Sequence, residues 1–368
     1  MKHLLLSFIF LLNFSFSFTQ PKMTDYPVIQ ATSEMADYKI SEDLVKGAWR
    51  ISPHVEFDTM FVTCFNDVEK FVFYTDLDSI SFDVRPGDNH SFYVMLDTAK
   101  AFTIICGILP NYEEAKYSSD TRNDEFKFLY EENNDNEYLT KLRNQYQLDQ
   151  VVQEADSDTE RVLKILNWVH NRWKHDGNNE PSKNDAISIL EEAKEGKNFR
   201  CVEYGIVASA CLNAIGLKAR VLSLMTEDVE TRQYGAGHVV TEVFLNDLQK
   251  WVFIDGQWNV MPVLNGIPLN GVEFQKAIAN NYNKLEIKSL SEVSKRNYVT
   301  WVYPYLYFFN VGFDNREGIG FERLLINDKS RIILVPVGGT EPKVFQIKHP
   351  IEYALYTNSL LDIYASPN

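Results

Sequence analysis

The sequence predicts an α+β protein in which a core of helices followed by an antiparallel sheet stands between two β-rich regions. Three observations predict this class. Short alternating apolar runs, separated by Asp, Asn, Gly and Pro, fill the chain from about residue 20 to 109. Apolar residues then recur at helical spacing between residues 157 and 216. From residue 219 the period changes to two, so helices are followed by strands rather than alternating with them.

The start of the chain has the composition of a secretion signal. A basic start precedes an apolar run over residues 4–12, which is too short for a membrane span. Ser17 and Thr19 are small residues at the third and first positions before Gln20, and no cysteine follows to take a lipid anchor. We therefore predict a signal peptide over residues 1–19 and a secreted or periplasmic protein with no stable membrane span. An uncleaved anchor helix is the weaker alternative, because polar residues interrupt the apolar run.

Composition excludes several classes of protein. At 368 residues with 45% hydrophobic and 13% aromatic content, the chain is long and apolar enough for packed cores. Its formal net charge of −15 would repel phosphate backbones, so no nucleic-acid partner is expected. The four cysteines form no CxxC pair, so neither a metal site nor a cofactor is predicted. Cys64 and Cys106 are compatible with either a disulfide or two buried thiols.

The order of these patterns predicts the domain organisation. A β-rich N-terminal domain is expected over residues 20–150, ending after the acidic, asparagine-rich stretch 131–137. The helix-and-sheet core is expected over residues 151–275. Alternating runs return after Thr300, so residues 276–368 are predicted as a β-rich C-terminal region with strands over Tyr303–Phe309 and Arg331–Val337.

Three helices are predicted in the core. The capping-box pattern that begins at Ser157 starts a helix running to about His175. Residues 185–194 form a second, shorter one. A third begins at Cys201 and ends at Gly216, a residue that commonly terminates helices.

Cys201 stands out among the cysteines because it opens a helix. Unpaired backbone N–H groups and the positive end of the helix dipole favour a thiolate there, and the Cys201 N–H is also placed to bind an oxyanion. Cys211, flanked by apolar residues inside the same helix, is better explained as core packing.

The strands after Gly216 supply a base and a group to orient it. Residues 238–245 and 251–255 predict a hairpin whose loop is residues 246–249. Leu245 then faces Lys250, which places His238 and Asp255 on the same side of the hairpin as diagonal neighbours, roughly 7–8 Å apart at the backbone. Two side chains can close that distance to a hydrogen bond. The pattern predicts a nucleophile, base and orienting acid formed by Cys201, His238 and Asp255.

These residues resemble the transglutaminase-like superfamily, which is papain-like in its catalytic order of Cys, His and Asp. The segment 201–205 resembles the nucleophile helix of that family, and 215–221 resembles its Gly-Ile-x-Ala-Arg turn. His238 with Glu242 and Val243 resembles the His-x-Trp-x-Glu-Val strand, and 251–255 resembles the Trp-to-Asp strand. The resemblance covers about residues 155–260. It implies a transglutaminase-like fold for the core and catalytic roles for Cys201, His238 and Asp255.

The chain departs from the family pattern at three places. Gly196 lies five residues before the cysteine instead of close to it, Val240 replaces a frequent Trp, and Gly256-Gln257 follows Asp255 where Pro-Thr is usual. These changes affect the walls of a cleft rather than the three reactive residues.

Other candidates carry weaker signals. Trp173 is a candidate to line the cleft or donate to the oxyanion, as an upstream Trp does in some relatives, although an aromatic residue on a helix face is more often core. His170 and His175 are near a helix end, where they compensate the dipole or are simply exposed.

The functional expectation is an exported cysteine enzyme that acts on amide bonds of a peptide or protein substrate. Hydrolysis is favoured, since an exported protein meets abundant water. Protein crosslinking by transfer to an amine is the first alternative. The second is a binding or scaffold module that keeps the fold without turnover.

Overall fold

The computed structural model describes residues 25–132, 136–319 and 323–367. The predicted signal peptide, residues 1–19, lies outside these ranges. The chain divides into two compact units, one up to Pro110 and one from Asn111 to the C-terminus. The sequence placed this boundary near residue 150. Residues 111–150 belong instead with the second unit, since bonds such as that from the Leu129 N–H to the Phe313 carbonyl tie them to distant strands.

Residues 25–110 contain two four-stranded sheets. Their orders are β1-β7-β8-β4 and β3-β2-β5-β6. Alternation along the strands explains the packing, since β5 buries Glu69, Phe71 and Phe73 while the residues between them face outward. The strands are β1 (Val28–Ala31), β2 (Met35–Ile40), β3 (Asp43–Arg50), β4 (Asp58–Thr63), β5 (Glu69–Tyr74), β6 (Ser79–Val84), β7 (Asn89–Leu96) and β8 (Ala99–Ile108).

The two cysteines of this unit are thiols rather than halves of a disulfide. The Cys106 sulfur donates to Asn89 Oδ1 at 2.7 Å. Cys64 is buried, and its sulfur lies 3.5 Å from the Val62 carbonyl oxygen. The sequence left open whether Cys64 and Cys106 form a disulfide or remain thiols, and in the structure they are thiols.

The second unit begins with helices whose ends follow the sequence signals. The Ser157 side chain accepts from the Glu160 N–H, and the Asp185 side chain accepts from the Ser188 N–H. Gly216, with φ of 84°, follows the last helix. The first long helix ends at His170 rather than near His175. The helices are α1 (Glu137–Gln145), α2 (Leu148–Val152), α3 (Asp158–His170), α4 (Ala186–Lys194) and α5 (Cys201–Ala214).

A six-stranded sheet in the order β11-β10-β9-β15-β16-β19 forms the centre of this unit. The predicted hairpin is present with its expected register, because Leu245 pairs with Lys250 and Thr241 with Ile254. The strands are β9 (Ala219–Met225), β10 (Gly237–Leu245), β11 (Lys250–Ile254), β12 (Met261–Leu264), β13 (Ile267–Pro268), β14 (Leu285–Lys288), β15 (Phe308–Gly312), β16 (Arg331–Leu334), β17 (Val344–Phe345), β18 (His349–Pro350) and β19 (Ala354–Thr357). Strands β12 to β14 form a separate small sheet, and β17 pairs with β18.

The region predicted as a separate β-rich C-terminal part instead completes this unit. Its strands β15, β16 and β19 extend the central sheet, and it also contributes α6 (Gly271–Asn281), α7 (Lys295–Val302) and α8 (Leu360–Ile363). The predicted strand over Tyr303–Phe309 is partly wrong. Residues 303–305 form a 3₁₀ turn with Pro304 at its start, since proline cannot donate to a strand ladder. The strand begins at Phe308.

The central sheet is covered on both faces. Val243 and Ile254 pack with the helical core of α1 to α5. Leu222 and Val240 point to the other face, where they pack with Phe274 of α6 and Val299 of α7. Within the described part of the chain, no helix is long and apolar enough to cross a bilayer.

Candidate active site

Cys201 is the first residue of α5, and its neighbours fix where that helix begins. The N–H of Arg200 donates to Glu203 Oε2 at 3.0 Å, and the Arg200 guanidinium donates to Glu203 Oε1 at 2.8 Å. Arg200 also pairs with Glu180. Glu203 is fully buried, while Cys201 is only half-buried. The hydrogen bonds of Arg200 and Glu203 therefore fix the start of the helix, with a half-buried cysteine as its first residue.

A glycine in the next turn lets this helix approach the sheet closely. A Cβ on Gly205 would lie 2.8 Å from Val239 Cγ1 and 3.2 Å from the Val240 carbonyl oxygen, closer than side-chain carbons pack. The Gly205 carbonyl accepts from Thr241 Oγ1 at 3.1 Å. The N-terminal half of α5 is therefore held against β10, the strand that carries His238.

His238 bridges the other two predicted residues. Its Nε2 lies 2.7 Å from Asp255 Oδ2, and the Cys201 side chain is near enough to the imidazole to act on its pKa. Because Nε2 is hydrogen bonded to Asp255, Nδ1 is the ring nitrogen that remains available to the Cys201 sulfur. Burial alone would lower the pKa of His238, but the Asp255 carboxylate and the Cys201 side chain raise it to about 9. The imidazole is thus held as a cation near neutral pH.

Asp255 is buried and fully engaged by hydrogen-bond donors. Its Oδ1 accepts from the backbone N–H groups of Gln257 at 2.9 Å and Trp258 at 3.1 Å. Its Oδ2 accepts from His238 and from the Tyr298 hydroxyl at 3.1 Å. These bonds satisfy both oxygens of a carboxylate that has no access to water.

An aromatic wall, defined here as Trp258, Tyr298, Trp301 and Tyr305, surrounds the imidazole. The Trp301 ring meets the His238 ring edge-on, with centroids 4.8 Å apart, and the Tyr305 ring lies 5.9 Å away. Trp258 contacts both Tyr298 and Trp301. Sequence reasoning missed this wall. The available signal was the spacing of three, then four, residues between Tyr298, Trp301 and Tyr305, which places them along one side of a helix.

Trp173, the tentative oxyanion or cleft residue, lies in the helical core. It is 7% exposed, and its ring contacts those of Phe199 and Tyr204. The Tyr204 hydroxyl donates to its carbonyl oxygen at 2.9 Å. The indole Nε1 is buried with no hydrogen-bond partner among the described residues. These contacts show that the Trp173 side chain packs in the hydrophobic core. Its predicted role in binding an oxyanion stays a prediction.

The remaining candidates take different places. The ring of His170 hydrogen bonds to the Gln257 carbonyl at 3.1 Å, which ties the end of α3 to the loop after Asp255. His175 is exposed at the rim, where partial burial and the His238 charge lower its pKa. No group of His, Cys, Asp and Glu side chains in the described ranges is arranged to hold a metal ion.

Cys211 provides an internal reference for Cys201, since it belongs to the same helix. It is completely buried, and burial raises the pKa of its thiol. The interpretation of Cys211 as core packing agrees with its position.

A cavity of about 660 Å³ lies beside the end of α3 and the segment that precedes α5. Its lining includes His170, Trp173, His175, Tyr204 and Gln257, and also Arg172, Lys174 and Lys197. It reaches the loop after Asp255 but is not lined by Cys201, His238 or Asp255. The arrangement of the three residues therefore offers a half-buried thiol and an imidazolium oriented by a buried carboxylate.

Comparison with known proteins agrees with this geometry. Residues 145–256 match the sequence model of the Transglutaminase-like superfamily, a range that contains Cys201, His238 and Asp255 and excludes α7. No curated protein matches the chain.

Three solved structures illustrate the similarity. One is a TGase, at 19% identity and a TM-score of 0.24, with 32% of this chain and 31% of that one covered. Another is a proposed cysteine protease from Cytophaga hutchinsonii, at 14% identity and a TM-score of 0.28, with 61% and 72% covered. A third is the periplasmic domain of TgpA from Pseudomonas aeruginosa bound to ethylmercury, at 18% identity and a TM-score of 0.25, with 32% and 45% covered. The chain thus spans less than half of the TGase and of the TgpA domain.

Proposed function

We propose that this chain, whose residues 145–256 form a transglutaminase-like core domain, is an exported enzyme that hydrolyses amide bonds of peptides or proteins. Cys201 is its nucleophile, His238 its acid and base, and Asp255 the group that orients His238. The observation that carries the proposal is the buried hydrogen bond between His238 Nε2 and Asp255 Oδ2, with the Cys201 side chain acting on the same imidazole.

The reaction follows from the protonation states of these groups. The Cys201 thiolate attacks the amide carbonyl carbon, and the oxygen becomes an oxyanion near the backbone N–H groups at the start of α5. His238 gives its proton to the leaving amine, which departs as the thioester forms. His238 then takes a proton from water, and the hydroxide attacks the thioester to release the acid and restore the thiol.

Hydrolysis rather than crosslinking is favoured by the partial exposure of Cys201. Because this residue is only half-buried, we expect water to reach the position where a thioester would form. Transfer to an amine requires that water be kept out of the same position.

Export is part of the same proposal and rests on the composition of the first 19 residues. N-terminal sequencing of the protein from its native host should begin at Gln20 or close to it. A retained Met1 would contradict export.

The nucleophile can be tested without knowing the substrate. We expect iodoacetamide near neutral pH to alkylate Cys201 much faster than Cys211, because only Cys201 has an imidazolium partner and access to solvent. Mass-spectrometric mapping of partial labelling measures the ratio, and His238→Gln should reduce it. Equal labelling of Cys201 and Cys211 would contradict the proposal and favour a binding module.

Whether water or an amine accepts the acyl group is tested by digesting a peptide library in the presence of primary amines. Cleavage without amine incorporation supports hydrolysis, whereas incorporation identifies a crosslinking enzyme. Cys201→Ala should abolish both products, which separates the activity of this chain from that of a contaminant.

A further inference from the structure

A tyrosine outside the family-matched region contacts the buried acid of the site. Tyr298 lies on α7, 43 residues after Asp255, and its side chain is completely buried. Its hydroxyl donates to Asp255 Oδ2 at 3.1 Å. The same oxygen binds His238 Nε2 at 2.7 Å, so Tyr298 and His238 share one acceptor atom.

The surroundings of Tyr298 hold this hydroxyl in place. Its ring stacks against Phe274 at 6.1 Å with an angle of 10°, and Trp258 packs at 5.5 Å. The Ser294 side chain caps the start of α7 by accepting from the Asn297 N–H. Burial and the Asp255 charge keep the pKa of Tyr298 well above its ordinary value, so the hydroxyl remains protonated and able to donate near neutral pH.

Asp255 acquires a fixed orientation from its four donors. The Gln257 and Trp258 N–H groups hold Oδ1, while Tyr298 and His238 hold Oδ2. Without the Tyr298 hydroxyl, Oδ2 would keep only His238 as a donor, and the two N–H groups on Oδ1 would be the remaining contacts that fix the carboxylate independently of the imidazole. The direction in which His238 points its second nitrogen at Cys201 therefore depends on Tyr298.

We propose that Tyr298 is a positioning residue that fixes Asp255 and moderates the negative charge that His238 experiences. This inference rests on the proposed function. The donor partly neutralises Oδ2, which limits how strongly the imidazolium is held and keeps it able to release its proton to a leaving amine.

Other titratable groups also act on His238, and the test must hold them constant. Cys201 acts on it from α5, and His175 interacts with it from the segment after α3. Tyr305 packs beside it from the segment after α7 and interacts with both Cys201 and Arg232. None of these groups is altered when only the Tyr298 hydroxyl is removed.

The test compares wild type with Tyr298→Phe, which removes the hydroxyl and keeps the ring. Two readouts are taken: the NMR titration of the His238 ring, and the pH dependence of Cys201 alkylation by iodoacetamide. We expect the His238 midpoint to rise by roughly half a unit, because Oδ2 becomes more negative. The upper transition of the alkylation profile should move with it, since the sulfur and the imidazole are coupled.

Tyr303→Phe is the matched control. Its hydroxyl donates to the Glu113 carbonyl at 2.7 Å and accepts from the Glu113 N–H at 2.6 Å, so this variant loses tyrosine hydroxyl bonds just after α7 without touching Asp255. Both readouts should stay at their wild-type values in this variant. If Tyr298→Phe does not fold, 3,5-difluorotyrosine at position 298 keeps the contact with a stronger donor, and it should lower the His238 midpoint.

The outcomes separate this inference from the proposed function. Unchanged titration of His238 in Tyr298→Phe would overturn the inference even if Cys201 proves to be the nucleophile. A shifted titration with an unchanged alkylation profile would also overturn it, because the hydroxyl would then have no effect at the sulfur. The proposed function fails at an earlier point, in wild type, if Cys201 reacts no faster than Cys211.

Discussion

Strand β10 carries members of two buried ion pairs that differ in what surrounds them. His238 pairs with Asp255 and Glu242 pairs with Arg220, in each case with 2.7 Å between nitrogen and oxygen. The side chains of both pairs are at most 2% exposed. His238 and Glu242 are four residues apart, so they project from the same face of the strand. Geometry and burial do not distinguish the two pairs.

The Arg220–Glu242 pair is closed off by its neighbours. The Arg220 guanidinium also donates to the Ile363 carbonyl at 2.8 Å and lies 4.1 Å from the centre of the Trp251 ring. Glu242 Oε1 accepts from the Gly271 N–H and the Tyr364 hydroxyl. This pair therefore joins the central sheet to α6 and to the C-terminal segment.

The His238–Asp255 pair keeps one side open. Asp255 is as completely bonded as Glu242, but His238 presents its second ring nitrogen to a half-exposed thiol. The two pairs are equally well formed and differ in the neighbour of the basic member, so under the proposed function it is the Cys201 side chain beside His238 that would make one pair reactive. Three changes break or sharpen this contrast.

The largest effect is expected from Asp255→Asn. The amide cannot accept from both sets of donors, so His238 loses its orientation and its stabilising charge. We expect hydrolysis of an amide substrate to fall by about 10³–10⁴-fold, by analogy with the same change in serine proteases. Cys201→Ala should be more damaging still, because it removes the nucleophile. Steady-state kinetics would contradict the assignment if Asp255→Asn kept near wild-type turnover.

Arg220→Met should instead damage the fold. It leaves Glu242 as a buried charge without its cation, which costs about 3–5 kcal/mol of the free energy of unfolding. Chemical denaturation measures this loss. Arg220→Lys should be intermediate, because an ammonium cannot reproduce the paired guanidinium bonds. At temperatures where Arg220→Met remains folded, Cys201 should still react with iodoacetamide, and an inert Cys201 there would show that the two pairs are coupled.

The smallest effect concerns how the free energy of unfolding depends on pH. Of the two pairs, only His238–Asp255 is expected to produce such a dependence between pH 6.5 and 9. His238 has a folded-state pKa of about 9, above the ordinary value near 6.5, so folding favours its charged form. Its contribution, about 3 kcal/mol, is fully present below pH 6.5 and is lost as pH rises through 9. The difference in unfolding free energy between wild type and His238→Gln should shrink over that range.

Arg220 gives the control for this titration. Burial alone would lower the pKa of Arg220, but Tyr130 and Glu242 raise it above its ordinary value, so it does not titrate below pH 9. The stability difference between wild type and Glu242→Gln should stay level from pH 6.5 to 9, because Arg220 keeps its charge over that range in both proteins. A flat profile for His238→Gln as well would contradict a raised pKa for His238.

Much of the candidate site followed from short stretches of sequence. The start of α5 at Cys201 and its end before Gly216 were predicted from apolar spacing and a helix terminator. The register that places His238 and Asp255 on one face followed from strand alternation and a four-residue loop. Each of these two predictions depends on residues that are close together in the chain. Local preferences of this kind can be inferred without a structure.

Only the tertiary structure decided what surrounds these residues. The division at Pro110, the joining of β15 and β16 to the central sheet, and the contact of Tyr298 with Asp255 all unite segments that are distant in the chain. The contact between Tyr298 and Asp255 was not predicted, because packing partners are chosen by the shape and burial of the whole unit. The sequence by itself determined the candidate residues and their strand register, because these depend on neighbours in the chain, and long-range packing determined the contacts that hold them.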